Sequence, residues 1–62
     1  MVVRIVFDTR NDAFVGRREE EICRVLRDAI KCIKEMDHTD FGGFSLRDVN
    51  GNRIGSCEFA DK

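Results

Sequence analysis

The feature that most constrains the fold is a run of apolar residues at Ile22, Val25, Leu26, Ala29, Ile30, Ile33 and Met36. Spacings of three and four put them on one stripe of an α-helix, and the pattern predicts a helix from Arg18 to Met36. Charged residues fill the opposite side: Glu20, Arg24, Arg27, Asp28, Lys31, Lys34 and Glu35. Glu20–Arg24 and Lys31–Glu35 stand four apart with opposite sign, a spacing worth a few tenths of a kcal/mol per pair. Glu19, Glu20 and Glu21 sit at the N-terminal end, where negative charge favours the helix dipole. The charged side reads as a solvated face. Cys23 and Cys32 fall on opposite edges of the stripe, so they cannot pair within one helix.

The flanking segments read as strands. Val2–Phe7 is rich in β-branched residues, with Val3, Ile5 and Phe7 on one face and Val2, Arg4 and Val6 on the other. Asp8–Asp12 is a cluster of turn formers. Gly16 argues against a helix running on from Asp12, and Ala13-Phe14-Val15 reads as a bridging turn with Phe14 at the edge of the core. After the helix, Asp37–Gly43 reads as a polar loop. Phe44–Arg47 and Arg53–Phe59 then flank Asp48-Val49-Asn50-Gly51-Asn52. Asp followed by Asn-Gly fits a type I turn with Gly51 left-handed and a bulge; a tighter Asn50-Gly51 turn competes. One residue of slip exchanges the two sheet faces. In the bulged register Leu46 opposes Ile54 and Phe44 opposes Ser56, so Phe44, Leu46 and Ile54 face the helix. Cys57 and Phe59 then point away from it with Arg47 and Arg53.

A helix of ~28 Å covers one face of strands ~23 Å long. The expected fold is therefore α+β, in the order β-α-β-β, with one amphipathic helix on a three-stranded antiparallel sheet in a single domain spanning residues 1–62. The uncovered face would carry Val2, Val6, Cys57 and Phe59, with Arg47 and Arg53. An exposed apolar patch marks a contact surface. A 62-residue chain buries only roughly 60% of its unfolded surface. Self-association through this face is the expectation, a homodimer, with a different protein partner or the charged helix face as the other possibilities.

Composition narrows the chemistry. Eleven basic and twelve acidic residues leave a formal net charge of -1, without the basic excess of a nucleic-acid binder or the acidic excess of a phosphate mimic. Phe59 beside Arg47 and Arg53 approaches the aromatic-basic pattern of RNA-binding sheets, which keeps a nucleic-acid regulator as the alternative. Cys23, Cys32 and Cys57 lack metal spacing and read as reduced thiols acting as small hydrophobes. His38, near Asp37 and Asp40, reads as a C-terminal helix cap; those three residues lack the further ligand pair of a zinc site. Gly42-Gly43 precedes a strand, so it is no phosphate loop, and the Asp48–Asn52 loop lacks the glutamate of a calcium loop. No Ser-His-Asp or Cys-His arrangement is present. The expectation is no enzyme, no metal and no cofactor. The apolar start is too short for a signal peptide or a membrane span, so the expected compartment is cytoplasmic.

Assembled, these pieces resemble a family of small proteins encoded in bacteriophage and prophage genomes. The resemblance runs over nearly the whole chain: the opening strand, Asp8-Thr9-Arg10-Asn11-Asp12-Ala13-Phe14, the helix around Glu21-Ile22-Cys23-Arg24-Val25-Leu26-Arg27, and the hairpin from Leu46 to Gly55. Its most specific part is Leu46-Arg47-Asp48 with Asn50-Gly51-Asn52 and Gly55. The three cysteines depart from the family pattern. The resemblance implies phage origin, the cytoplasm of the host cell and no known catalytic residues. By analogy with small accessory phage proteins, it suggests an inhibitor of host defence, such as an anti-CRISPR, or of host regulation.

Overall fold

A computed structural model describes residues 1–36 and 42–60. The elements are β1 (Val2–Phe7), a 3-10 turn (Asp12–Phe14), α1 (Arg18–Glu35), β2 (Phe44–Arg47) and β3 (Arg53–Ala60). The three strands form one antiparallel sheet in the order β1-β3-β2. This is the expected α+β fold. Because β3 is central, the stretch from β1 to β2 carries the chain from one sheet edge to the other.

The segment before the helix is organised by short polar side chains. The Asp8 carboxylate accepts the Arg10 amide at 2.8 Å. Asn11 caps the 3-10 turn by accepting the Ala13 amide at 3.0 Å. The turn drives Ala13 and Phe14 into the core. The helix then starts at Arg18, past Gly16, as the sequence requires.

The core is built from Ala13, Phe14, Val25, Ala29 and Leu46, with Phe7, Ile22, Phe44 and Ile54 packed around them. Full burial of a side chain as large as Phe14 is worth about 1.5–3 kcal/mol. Only half of the apolar helix stripe takes part, contrary to the expectation of one fully buried stripe. Val25 and Ala29 are buried, whereas Leu26, Ile30 and Ile33 are exposed, Ile30 to 55%. The reason is the helix's position. It packs against β2 and the 3-10 turn, and the Arg24 guanidinium donates to the Arg47 carbonyl of β2 at 3.0 Å. At 100° per residue, Leu26 and Ile30 lie on the flank opposite Arg24.

The turn between β2 and β3 is the bulged form. Gly51 N–H donates to the Asp48 carbonyl at 3.0 Å and Asp48 N–H to the Asn52 carbonyl at 2.9 Å. Gly51 takes φ +85°, the left-handed conformation that glycine adopts without steric cost. Arg47 accordingly pairs with Arg53. One residue further the ladder slips. Leu46 pairs with Gly55 and Phe44 with Cys57, which leaves Ile54 as the extra residue of a second bulge. The expected pairs Leu46–Ile54 and Phe44–Ser56 are therefore corrected. Gly55 allows the slip, since a Cβ there would lie 2.0 Å from the Val6 carbonyl oxygen and 2.5 Å from the Phe7 Cα.

Candidate functional site

The second bulge decides which residues reach the surface. Beyond Ile54 the alternation of β3 is inverted. Cys57 pairs with Ile5 and Phe44, and Phe59 with Val3, all on the helix side of the sheet. Cys57 and Phe59 therefore do not share the outer face with Arg47 and Arg53, and their placement in the expected interface is corrected. Cys57 is 0% exposed, and the Phe59 ring lies 6.4 Å from that of Phe44 in a tilted arrangement. Burial pushes the Cys57 thiol above its ordinary value, with Cys32 and Glu58 adding to the effect. Cys23 and Cys32, expected on or beside the buried stripe, are both exposed.

The outer face carries Val2, Arg4 and Val6 from β1, Ser45 and Arg47 from β2, and Arg53, Ser56, Glu58 and Ala60 from β3, by alternation from the paired positions. Four of the six expected contact residues, Val2, Val6, Arg47 and Arg53, remain together on it. Val6 is 60% exposed. Arg4 stands opposite Glu58, an opposite-charge pair of the kind that stabilises a sheet. Arg47 stands opposite Arg53, and like charges in that position are destabilising. Among the described residues neither arginine joins an ion pair. Arg47 instead donates to the Gly51 carbonyl at 3.1 Å, which holds its guanidinium over the turn.

A second constellation escaped the sequence reading. Glu21, expected in a solvated acidic run, is only 3% exposed. Its carboxylate accepts Arg24 Nε at 2.7 Å, Arg24 Nη2 at 3.0 Å and the Val49 amide at 2.8 Å. Arg24 also reaches Asp28 at 2.7 Å, so it serves Glu21 and Asp28 rather than the expected Glu20. Asp48, 4% exposed, accepts the Asn50 and Asn52 amides at 2.9 Å each, Asn11 Nδ2 at 2.7 Å and Asn52 Nδ2 at 3.2 Å. Together these bonds lock the turn to the helix and to the 3-10 segment. The missed signal was positional: Glu21 lies four residues before Val25 and eight before Ala29, in line with the buried residues.

The electrostatics follow from these contacts. The Arg24 guanidinium holds the Glu21 carboxyl below the ordinary value of 4.5, outweighing burial and the repulsion of Asp48, and the Val49 amide assists. Burial pushes Asp48 upward, but its bonds from Asn52, Asn50 and Asn11 prevail and hold it below 3.8. Both carboxylates are saturated by internal donors, so they serve structure. Among the described residues no group of three or more His, Cys, Asp and Glu could hold a metal ion. Asp37, His38 and Asp40 lie outside the described residues. No helix among the described residues is long and apolar enough to cross a membrane.

No family model, curated protein or solved structure matches the chain.

Proposed function

We propose that the chain is a small accessory protein that acts by binding another protein, without catalysis, through the outer face of its sheet. The single observation that carries this reading is the Arg47–Arg53 pair. Like-charged residues directly opposite one another cost the sheet stability, and an acidic partner surface would turn that cost into affinity. The face around them has the make-up of a contact surface. Val2 and Val6 offer exposed apolar side chains on the β1 side, and the cations of the face are arginine, which is enriched at protein interfaces, rather than lysine. In this proposal the chain is an inhibitor of host defence or host regulation working in the host cytoplasm, a reading supported by analogy with the phage and prophage proteins its hairpin resembles. The rival, a nucleic-acid regulator on the same face, is weakened because Phe59, the aromatic it needs for stacking, lies on the helix side.

Capture from host lysate with the immobilised chain tests the proposal. The expected result is one protein recovered in stoichiometric amount by the native chain and lost with the Arg47→Glu/Arg53→Glu double variant, whose circular dichroism stays native. Retention of the same protein by the double variant would overturn the assigned face. A gel shift at low salt that collapses as salt is raised would favour nucleic acid instead.

A further inference from the structure

We infer that β1 is a dimerisation edge, where a second copy of the chain adds its own β1 antiparallel to form a six-stranded sheet. The inference concerns a different surface from the arginine-bearing face and stands independently of it.

Three observations carry it. The first is the state of the two sheet edges. β2 is four residues long, and its Arg47 carbonyl is already taken by Arg24. β1 is six residues long. Asp8 N–H donates to the Ile54 carbonyl at 2.9 Å, so alternation turns the N–H and C=O groups of Val2, Arg4 and Val6 towards β3 and those of Val3, Ile5 and Phe7 outward. Such an edge is a template for another strand unless proline, charged side chains or a covering element blunt it. The chain has no proline, and the one charged side chain of β1, Arg4, lies on the outer face opposite Glu58.

The second is exposed apolar surface. Val3 and Ile5 on the helix side of β1, and Leu26, Ile30 and Ile33 on the helix flank away from Arg24, are all exposed. The third is scale. The accessible surface is 4875 Å², against about 4,100 Å² for a compact monomer of 7.2 kDa. The excess of roughly 750 Å² matches the ~800 Å² that each partner contributes to a standard interface. The radius of gyration, 12.2 Å, likewise exceeds the ~10.6 Å expected for 62 residues.

Charge selects the register. A two-fold axis at Arg4 would set Arg4 directly against its symmetry mate, a like-charge pair. An axis at Ile5 keeps Val3, Ile5 and Phe7 as the outward-bonding positions, pairs Ile5 with its mate and Val3 with the partner's Phe7, and sets Arg4 opposite the partner's Val6. This axis stands perpendicular to the sheet. It places both helices on one side and both arginine-bearing faces on the other, so the dimer would present two copies of the outer face in one plane.

Sedimentation equilibrium of the full chain tests this. The expected result is a reversible dimer of twice the chain mass. Ile5→Lys, which sets two charges against each other at the two-fold axis, should give a folded monomer. In the Ile5-centred register position 6 faces the partner's Arg4, so Val6→Glu should tighten the dimer and Val6→Lys loosen it, with dissociation constants differing by roughly tenfold. A native chain that stays monomeric at millimolar concentration would overturn the inference, as would an Ile5→Lys variant that still dimerises. Equal affinity of the two position-6 variants would overturn the register.

Discussion

Glu21 and Asp48 take up the backbone donors of the hairpin turn: Val49 N–H ends on Glu21, and the Asn50 and Asn52 amides end on Asp48. A buried donor left unbonded is costly, so these carboxylates fix the turn to the helix rather than merely decorate it. Both titrate below their ordinary values in the fold. A depressed folded value means that the stabilisation is complete above the unfolded value and is lost as pH falls through the folded one. The native chain should therefore lose stability as pH drops below about 4.5. Glu21→Gln, which keeps the shape and removes the charge, should be less stable near neutral pH and should show a flatter decline on acidification. Urea midpoints at neutral and acid pH measure both. At this scale the sequence was partly legible. Asp48 was readable as a turn residue from Asp-x-Asn-Gly. Glu21 was not, because a glutamate in a Glu-Glu-Glu run resembles a solvated dipole complement until tertiary contacts reveal which of the three points inward.

At the scale of elements, the strands, the helix and the bulged turn were legible because local signals agreed: alternation in Val2–Phe7, the three-four spacing of the helix, and Asn-Gly after Asp. The slip at Ile54 was not read, although its signal was present. A glycine inside a strand marks a bulge or a close approach of backbone, and Gly55 is both. The extent of helix burial was also illegible. Periodicity gives the direction and width of an apolar stripe, but not how much of it a small sheet can cover. The bulge makes a sharp prediction. Gly55→Val would force a side chain into the β1 backbone, a steric conflict costing about 1–3 kcal/mol or more. In a 62-residue domain holding roughly 3–9 kcal/mol in total, that should detach β1. Hydrogen exchange should then show the Arg4 and Val6 amides losing protection while the helix amides of Val25 and Ala29 keep theirs.

At the scale of the whole molecule, the chain has more apolar residues than its core can hold. Its buried apolar side chains are Ala13, Phe14, Val25, Ala29, Leu46 and Cys57, while Val3, Ile5, Leu26, Ile30 and Ile33 stay exposed. The expectation for the outer face held for four of its six residues, Val2, Val6, Arg47 and Arg53. It failed at Cys57 and Phe59 because one unread bulge inverts every later position of β3. The same inversion turns Cys57 and Phe59 towards the helix and leaves Val2, Val6, Arg47 and Arg53 on the outer face, while the strand order puts β1 at the sheet edge with Val3 and Ile5 exposed. Both proposed contact surfaces thus rest on the face to which Cys57 belongs. The rate of thiol alkylation, followed by mass spectrometry of the native chain, tests this most directly. Cys23 and Cys32 should react readily, and Cys57 should react only when denaturant unfolds the protein. Alkylation of Cys57 at the rate of the two helix cysteines under native conditions would return it to the outer face and contradict the register on which the account stands.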